Sequence, residues 1–214
     1  MPSETGYLLA WLLGFSVLGY GLYIGIHAVA FWRLRGYPPL SGAGSPGEWP
    51  AVTVLVAARN EETTLPNLVA ALAAQTYPPE RFSVLIVNDH STDDTARVID
   101  ALAADYPTLT LRRLDNTGAG GKKAALTTGF AASITPWVAL TDADCQPPPT
   151  WLATLMGAQL ATGAGMVAGP VRYAPAAPAP RGLGEFLRLE LAGLTALAGG
   201  GMALGTPMLA NGAN

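Results

Sequence analysis

The N-terminal stretch of the chain is hydrophobic and carries almost no charge. Between residues 5 and 32 there is no Asp, Glu, Lys or Arg. As a helix, residues 7–32 would be about 39 Å long, enough to cross a hydrocarbon core of about 30 Å with some tilt. A cleaved signal peptide is the alternative, but it needs a positively charged start, and the start here holds Glu4 and no Lys or Arg. We therefore predict a retained transmembrane anchor over residues 1–35.

Two arginines, Arg33 and Arg35, directly follow this hydrophobic stretch. Positive charge beside a membrane span is typical of its cytoplasmic side. We therefore predict a single N-terminal span in the inner (cell) membrane, with the rest of the chain in the cytoplasm. Residues 36–50 are rich in Pro, Gly and Ser, a composition typical of a linker.

After the linker, short apolar runs alternate with amphipathic segments. The first runs are rich in β-branched residues, which indicates strands buried on both faces of a parallel sheet. Strands are predicted at residues 52–57, 82–87, 109–114 and 137–141, and helices at 63–75, 93–104, 122–133 and 150–160. This alternation predicts an α/β fold with a mostly parallel sheet and flanking helices, which we place in a domain of residues 51–214.

Three details complete the predicted secondary structure. Residues 91–94 (Ser-Thr-Asp-Asp) match a capping box with Asp in place of the usual Glu, which predicts a helix that starts near Asp93. Residues 166–173 are predicted as a strand pair or one bent strand. Residues 184–198 are predicted as a helix that is either part of the core or lies on the membrane surface.

Composition narrows the possible partners. Of the 214 residues, 50% are apolar and 13% are charged, and the net charge is −3. Because there is no basic tract, nucleic acid is not an expected partner. The single cysteine, Cys145, cannot form a disulfide within the chain, and we interpret it as a bystander rather than a nucleophile.

The clearest candidate chemistry is the triplet Asp142-Ala143-Asp144, which follows the apolar residues 137–140. Two carboxylates at positions i and i+2 of a strand point to the same side. Together they would form a site for a hard cation, and the cation could in turn hold a diphosphate. Taken alone, the triplet is equally compatible with a solvated acidic turn.

Polar segments also follow the other predicted strands, at the edge where open α/β sheets bind ligands. They are residues 57–62, 88–95 and 118–123. The last segment combines glycines, a helix start and lysine charge, which suit a phosphate. It is not a P-loop, because Asn116 and Lys123 stand where that motif needs Gly and Ser or Thr. It also lacks the last glycine of the dinucleotide-binding fingerprint and follows the third strand rather than the first.

The order of these motifs resembles that of family 2 glycosyltransferases, nucleotide-diphosphosugar transferases with the Rossmann-like GT-A fold. Residues 54–62 resemble the family's first-strand motif, which ends in Asn-Glu. Residues 87–95 are similar to its Val-Asp-Asp-Gly-Ser-Thr-Asp-Asp-Thr, and residues 121–129 resemble its Gly-Lys-x-x-Ala-Leu-Asn-x-Gly. The acidic triplet matches its Asp-x-Asp motif. The resemblance covers about residues 50–214.

The resemblance implies a nucleoside site. Asp89 would bond the uracil edge of a UDP-type base, and Arg59 and Glu61 would line the nucleoside pocket. His90 stands where the family commonly has glycine. Asp93 and Asp94 are interpreted as charges at a helix start, not as ligands.

The resemblance also implies a diphosphate and metal site. Lys122 would approach the base or the diphosphate. Asp142 would lie near the ribose and the metal, and Asp144 would bind Mn²⁺ or Mg²⁺. The metal would neutralise charge on the departing diphosphate.

An attacking acceptor hydroxyl needs a general base, which in this family is an Asp in a Glu-Asp motif beyond Asp-x-Asp. After Asp144 the only acidic residues are Glu185 and Glu190, and neither has that context. Residues 209–214 resemble the beginning of the family's acceptor-side segment. We therefore expect a chain truncated at its C-terminus, with the catalytic base beyond Asn214.

These observations predict a membrane-anchored, metal-dependent, inverting glycosyltransferase. It would move a sugar from a nucleotide-diphosphate sugar, expected to be a UDP-sugar, to a lipid-linked or glycan acceptor. The alternative is a catalytically incomplete fragment that binds nucleotide-sugar and turns nothing over. An NAD-dependent oxidoreductase is disfavoured by the missing fingerprint.

Overall fold

The computed structural model describes residues 4–34, 49–172 and 182–206. Its α-helices and β-strands in chain order are α1 (Glu4–Leu34), β1 (Val52–Ala58), α2 (Leu65–Ala73), β2 (Phe82–Asn88), α3 (Thr95–Asp105), β3 (Leu111–Asp115), α4 (Lys122–Ala132), β4 (Trp137–Leu140), α5 (Trp151–Thr162) and α6 (Leu183–Ala203). They fall into two compact units, one with α1 and α6 and the other with the remaining elements. The predicted linker lies almost entirely outside the described residues.

The larger unit is built on a four-stranded sheet with the order β3-β2-β1-β4. All three strand pairs are parallel, which confirms the predicted α/β architecture. Ala58 pairs with Asn88, and Asn88 with Asp115, so β1, β2 and β3 end at one level. β4 ends opposite Leu55, and the segment after β4 therefore continues beside the last residues of β1.

Apolar side chains of the central strands fill both faces of this sheet. Along β1, Val54 and Val56 belong to one hydrophobic cluster and Leu55 to the other, as the alternation of side chains along a strand requires. The first cluster includes residues of α2, α3 and α5. The second includes Ala125 of α4. Burial on both faces explains the uninterrupted apolar runs in the sequence.

A glycine allows α4 to approach the sheet closely. A Cβ added at Gly129 would collide with Leu55 and lie 3.0 Å from Cγ2 of Val87. Leu55 and Val87 are fully buried, so neither can move aside without disturbing the core. The close approach matters for the site, because α4 begins with the lysines of the glycine-lysine segment.

An aromatic cluster secures the start of β1. The hydroxyl of Tyr77 donates a hydrogen bond of 2.5 Å to the carbonyl of Pro50. The Tyr77 ring packs edge-on against Trp49 and Phe82. Burial raises the pKa of Tyr77 to about 12, so the hydroxyl stays protonated and remains a donor.

Three predictions of secondary structure differ from the structure. Residues 166–172 form neither strand nor helix, so the strand predicted there is wrong for these residues. β3 is shifted to Leu111–Asp115, because Leu109 packs into the core in the turn before the strand. α6 extends to Ala203, past the predicted end at residue 198, and includes the glycines of residues 199–201.

The smaller unit consists of α1 packed against α6. α1 contains one stretch, Gly6–Arg33, that is long and apolar enough to cross a membrane. A Cβ at Gly200 would collide with the backbone of His27, so the glycine lets the two helices touch. His27 is buried, and its Nδ1 bonds the carbonyl of Tyr23 at 2.9 Å, which gives this histidine a structural role. The predicted domain bounds remain a prediction.

Candidate functional site

A cleft of about 340 Å³ opens at the carboxyl edge of the sheet. All six residues predicted to bind nucleotide-sugar line it, together with four small neighbours. The lining residues are Ala57, Ala58, Arg59, Glu61, Asp89, Gly121, Lys122, Asp142, Ala143 and Asp144. Residues from the ends of three strands, β1, β2 and β4, and from the start of α4 therefore meet in one place.

The acidic triplet reaches the cleft through a turn. β4 ends at Leu140, so the two carboxylates are not carried by a strand, and the prediction that strand alternation aligns them is wrong. Instead, the amide of Cys145 donates to the carbonyl of Asp142 at 3.1 Å and closes a turn. Ala143 is buried in the middle of this turn, which leaves Asp142 and Asp144 beside the cleft.

Lys122 forms an ion pair with Asp142 across the cleft. Nζ of Lys122 lies 2.6 Å from Oδ1 of Asp142, and the two side chains are 55% and 31% exposed. An ion pair this accessible to water contributes only about 0–1 kcal/mol. The ion pair can therefore break at low cost in free energy when Lys122 and Asp142 each bind a ligand instead.

The donor set fits a cation that is shared with a ligand. The described residues contain no group of three or more His, Cys, Asp or Glu side chains placed to hold a metal ion. A self-contained protein cage is therefore absent from this part of the chain. Mg²⁺ is often bound by one or two carboxylates together with phosphate oxygens and water. Asp142 and Asp144 match that kind of site.

Asp89 is the buried anion of the cleft, with its side chain only 3% exposed. Its Oδ1 accepts from Nδ2 of Asn116 at 2.8 Å and lies 3.1 Å from Nδ1 of His90, while Oδ2 accepts from the amide of Gly121 at 2.7 Å. Burial alone would raise the pKa of Asp89, but these hydrogen bonds outweigh it and lower the pKa below its ordinary value. Asp89 is therefore ionised at neutral pH.

The sequence reasoning missed Asn116, which it used only to exclude a P-loop. Asn116 is 4% exposed and follows β3 directly. Besides Asp89, it contacts the Gly118 amide, the Ala119 carbonyl and the Thr128 hydroxyl. Its position between a predicted strand and a glycine-rich segment was the feature of the sequence that could have indicated this role.

Hydrogen bonds brace the two segments that follow β1 and β2. The amide of Asn60 donates to Oγ of Ser91 at 3.1 Å, and Oδ1 of Asn60 accepts from the amide of Thr92 at 2.8 Å. Asn60 has a φ of 59°, a left-handed conformation that asparagine tolerates better than most residues. The amide of Glu61 donates to Oγ1 of Thr95 at 2.8 Å. These bonds hold the cleft residues of β1 against α3.

The predicted capping box is wrong. α3 begins at Thr95, and its preceding residue, Asp94, makes no side-chain capping bond. Oδ1 of Asp93 instead accepts from the amide of Thr95 at 3.0 Å. Ser91 is drawn away because its hydroxyl accepts from Asn60. Neither Asp93 nor Asp94 lines the cleft, in agreement with their interpretation as helix-start charges.

The backbone explains why the related motif has glycine at the position of His90. His90 has a φ of 56°, in the left-handed region that favours glycine. The side chain contacts Asp89 but does not line the cleft. Histidine therefore adds a hydrogen-bonding partner for Asp89 at the cost of backbone strain.

The two remaining predicted residues differ in how they are held. Oε2 of Glu61 accepts a hydrogen bond of 2.6 Å from the hydroxyl of Thr64. Arg59 is exposed and has no carboxylate partner within the described parts of the chain. Its charge is therefore available to an anion in the cleft.

Cys145 and the two late glutamates do not contribute to the cleft. Burial raises the pKa of Cys145, which keeps it a thiol and agrees with its interpretation as a bystander. Glu185 pairs with Arg188 at 3.1 Å on α6, and Glu190 is exposed on the same helix. Both glutamates belong to the smaller unit.

Comparison with known proteins places the chain in a family of glycosyltransferases. The pattern of the family described as Glycosyl transferase family 2 matches residues 53–201. A beta-monoglucosyldiacylglycerol synthase from Synechocystis sp. is 38% identical over 111 residues, which are 52% of this chain and 23% of that protein. One from Nostoc sp. is 35% identical over 142 residues, 65% of this chain and 29% of that protein. The chain thus spans about a quarter of the length of these relatives.

Among solved structures, the fold is similar to the mannosyltransferase PcManGT from Pyrobaculum calidifontis in complex with GDP-Man and Mn²⁺. The two share 26% identity with a TM-score of 0.58, over 73% of this chain and 47% of that chain. The parallel sheet, its flanking helices and this likeness confirm the GT-A fold.

Proposed function

Because the chain belongs to glycosyl transferase family 2, we propose that its cleft binds a nucleotide-diphosphate sugar, with UDP-sugar as the expected donor. The sugar is transferred with inversion to a lipid-linked or glycan acceptor. The observation that carries this proposal is the meeting of Arg59, Asp89, Lys122, Asp142 and Asp144 in one cleft. Arg59, Lys122 and the start of α4 could bind a diphosphate there, and the neighbouring carboxylates of Asp142 and Asp144 could bind a divalent metal.

The residues divide the work of donor binding. Gly121 and Lys122 lie at the start of α4, where the helix dipole favours an anion. Lys122 supplies a full charge there, and its ion pair with Asp142 opens when both find ligands. Arg59 supplies the second cation. Asp89 and Glu61 are acceptors for the polar edges of the nucleoside.

Asp142 and Asp144 would hold Mn²⁺ or Mg²⁺. When bound, the ion supplies Lewis-acid stabilisation of the charge on the departing diphosphate. That PcManGT was solved with Mn²⁺ and a nucleotide-sugar supports this assignment.

The acceptor proposal rests on the apolar helix and on the relatives. α1 offers a span that could hold the enzyme at a membrane, and the relatives from Synechocystis and Nostoc are named beta-monoglucosyldiacylglycerol synthases. Arg33 at the end of α1 favours a cytoplasmic position for the cleft.

Calorimetric titration of UDP into the full-length protein in detergent, with and without Mn²⁺, tests the donor site. We expect Mn²⁺-dependent binding that Asp144→Ala weakens at least about tenfold. Asp100→Ala is the matched control, because Asp100 is an exposed acid paired with Arg113 outside the cleft. A folded wild-type protein that binds neither UDP nor GDP, with or without Mn²⁺, would refute the donor site.

A second candidate function is nucleotide-sugar binding without transfer. It is favoured by one observation: the described residues offer no acid beyond Asp144 in the larger unit that could act as general base. Incubation of the 214-residue chain with a radiolabelled UDP-sugar and membrane lipid distinguishes the two. Labelled glycolipid above the level of the Asp144→Ala variant would exclude the binding-only function.

A further inference from the structure

We propose that Asn116 is a positioning residue of the donor site. It holds the glycine segment of residues 118–121 and the carboxylate of Asp89 in one fixed geometry. The inference deepens the proposed function and rests on it, since it concerns how the same cleft is prepared for its ligand. Asn116 itself is not among the residues that line the cleft.

Every polar group of the Asn116 side chain is used. Nδ2 donates to Oδ1 of Asp89 and to the carbonyl of Ala119, both at 2.8 Å. Oδ1 accepts from the amide of Gly118 and the hydroxyl of Thr128, both at 3.3 Å. The backbone amide of Asn116 donates to the backbone carbonyl of Asn88 at 2.9 Å. One buried side chain thus joins the end of β2, the glycine segment and α4.

The link continues from Asn116 to the ligand-binding side of the cleft. Oδ1 of Asp89 accepts from Asn116, and Oδ2 of the same carboxylate accepts from the amide of Gly121 at 2.7 Å. Gly121 has a φ of 116° and immediately precedes α4. A shift of the Asp89 carboxylate therefore moves the first residues of α4, which include Lys122.

Only an amide side chain of this length meets these requirements. Aspartate would keep the acceptor toward Gly118 but lose both donors, and it would place a second carboxylate against the buried Asp89. Alanine would remove both donors, which leaves the exposed Ala119 without its side-chain partner and Oδ1 of the buried Asp89 with only His90 at 3.1 Å. Loss of a hydrogen bond to a buried carboxylate is costly, so the segment would adopt another conformation.

The experiment compares Asn116→Asp and Asn116→Ala with Leu72→Ala in the full-length protein. Leu72 is fully buried in the core on α2, away from the cleft, so its variant loses stability without touching the site. We measure the dissociation constant of UDP in Mn²⁺ and the hydrogen exchange of the amides of residues 118–121. Where transfer is measurable, we also measure KM for the donor and kcat.

For both Asn116 variants we expect UDP binding to weaken about tenfold or more and the exchange at Gly118 and Gly121 to accelerate by a similar factor. KM for the donor should rise while kcat changes less than about threefold. Leu72→Ala should lower Tm and leave the dissociation constant unchanged. Folded Asn116 variants with wild-type exchange and wild-type affinity would overturn the proposal.

Two further arms keep the outcome decisive. If both Asn116 variants fail to fold, Thr128→Val removes only the hydroxyl that Asn116 accepts, and exchange at Gly118 should still rise a few-fold. Unchanged exchange there would count against the proposal. If the folded wild type binds neither UDP nor GDP, the proposed function fails, and exchange of residues 118–121 still tests the positioning role separately.

Discussion

Replacing Asp89 by asparagine tests the electrostatic reasoning about the cleft most directly. The carboxylate receives donors on both oxygens, from Asn116 and from the Gly121 amide. An asparagine must turn its NH₂ group toward one of these donors, which leaves that buried donor unpaired at a cost of about 1–3 kcal/mol. The lost hydrogen bond to a charged acceptor adds about 1.5–3 kcal/mol.

Part of this loss of stability is offset, because the neutral asparagine avoids the free-energy penalty of burying a charge. We therefore expect Asp89→Asn to lower the free energy of unfolding by about 2–4 kcal/mol at pH 7. The assay is urea unfolding of the detergent-solubilised protein, followed by tryptophan fluorescence. Asp100→Asn is the matched control, since Asp100 is an exposed acid paired with Arg113, and we expect a change below about 1 kcal/mol.

The same substitution has a defined pH dependence. The pKa of Asp89 is lowered in the folded state, below the value of about 3.9 of an unfolded chain. Its stabilisation is therefore fully present above the unfolded pKa and is lost as the pH falls through the folded pKa. The difference between wild type and Asp89→Asn should be constant from pH 7 to about 5 and shrink below pH 4. A difference under about 0.5 kcal/mol at pH 7, or one that grows in acid, would refute the reasoning.

Four other substitutions test the packing by thermal unfolding. Gly129→Ala should cost about 1–3 kcal/mol, because its Cβ would collide with Leu55 in the core; an unchanged Tm would contradict the close approach of α4. Tyr77→Phe should cost about 1 kcal/mol for the lost hydrogen bond of its hydroxyl, and no loss would show that the bond contributes nothing. Gly200→Ala should weaken the packing of α6 on α1, whereas Gly193→Ala, which meets nothing within 4 Å, should stabilise the same helix by up to about 1 kcal/mol.

The elements that the sequence predicts well are those with a local pattern. β1 is an unbroken run of apolar and β-branched residues, and it lies within a residue of its predicted bounds. α4 begins at Lys122 as predicted. In a parallel sheet, every segment that leads from a strand to the next helix lies at the carboxyl edge, so the order of the elements alone predicts this edge as the site. For that reason the order of strands and helices is enough to predict which residues meet in the cleft.

Predictions failed where one residue had two competing partners. Ser91 matches a capping box, yet its hydroxyl accepts from Asn60, which lies 31 positions earlier in the chain. α3 therefore starts later, at Thr95. The acidic triplet shows the same limit, because β4 ends before it. Local patterns cannot reveal a partner that only the assembled sheet brings near.

Asp89 and Asn116 show why such long-range partners matter most at the site. The motif that contains Asp89 predicts a residue that binds ligand, but two of its donors come from beyond β3, in Asn116 and Gly121. Burying a charged carboxylate is costly unless such donors are in place, so the ordered glycine segment allows Asp89 to remain an anion when it is buried. The same bonds place Lys122 at the mouth of the cleft. One hydrogen-bond network therefore positions both Asp89 on the nucleoside side and Lys122 on the diphosphate side. A substitution at either residue should change ligand binding at the other.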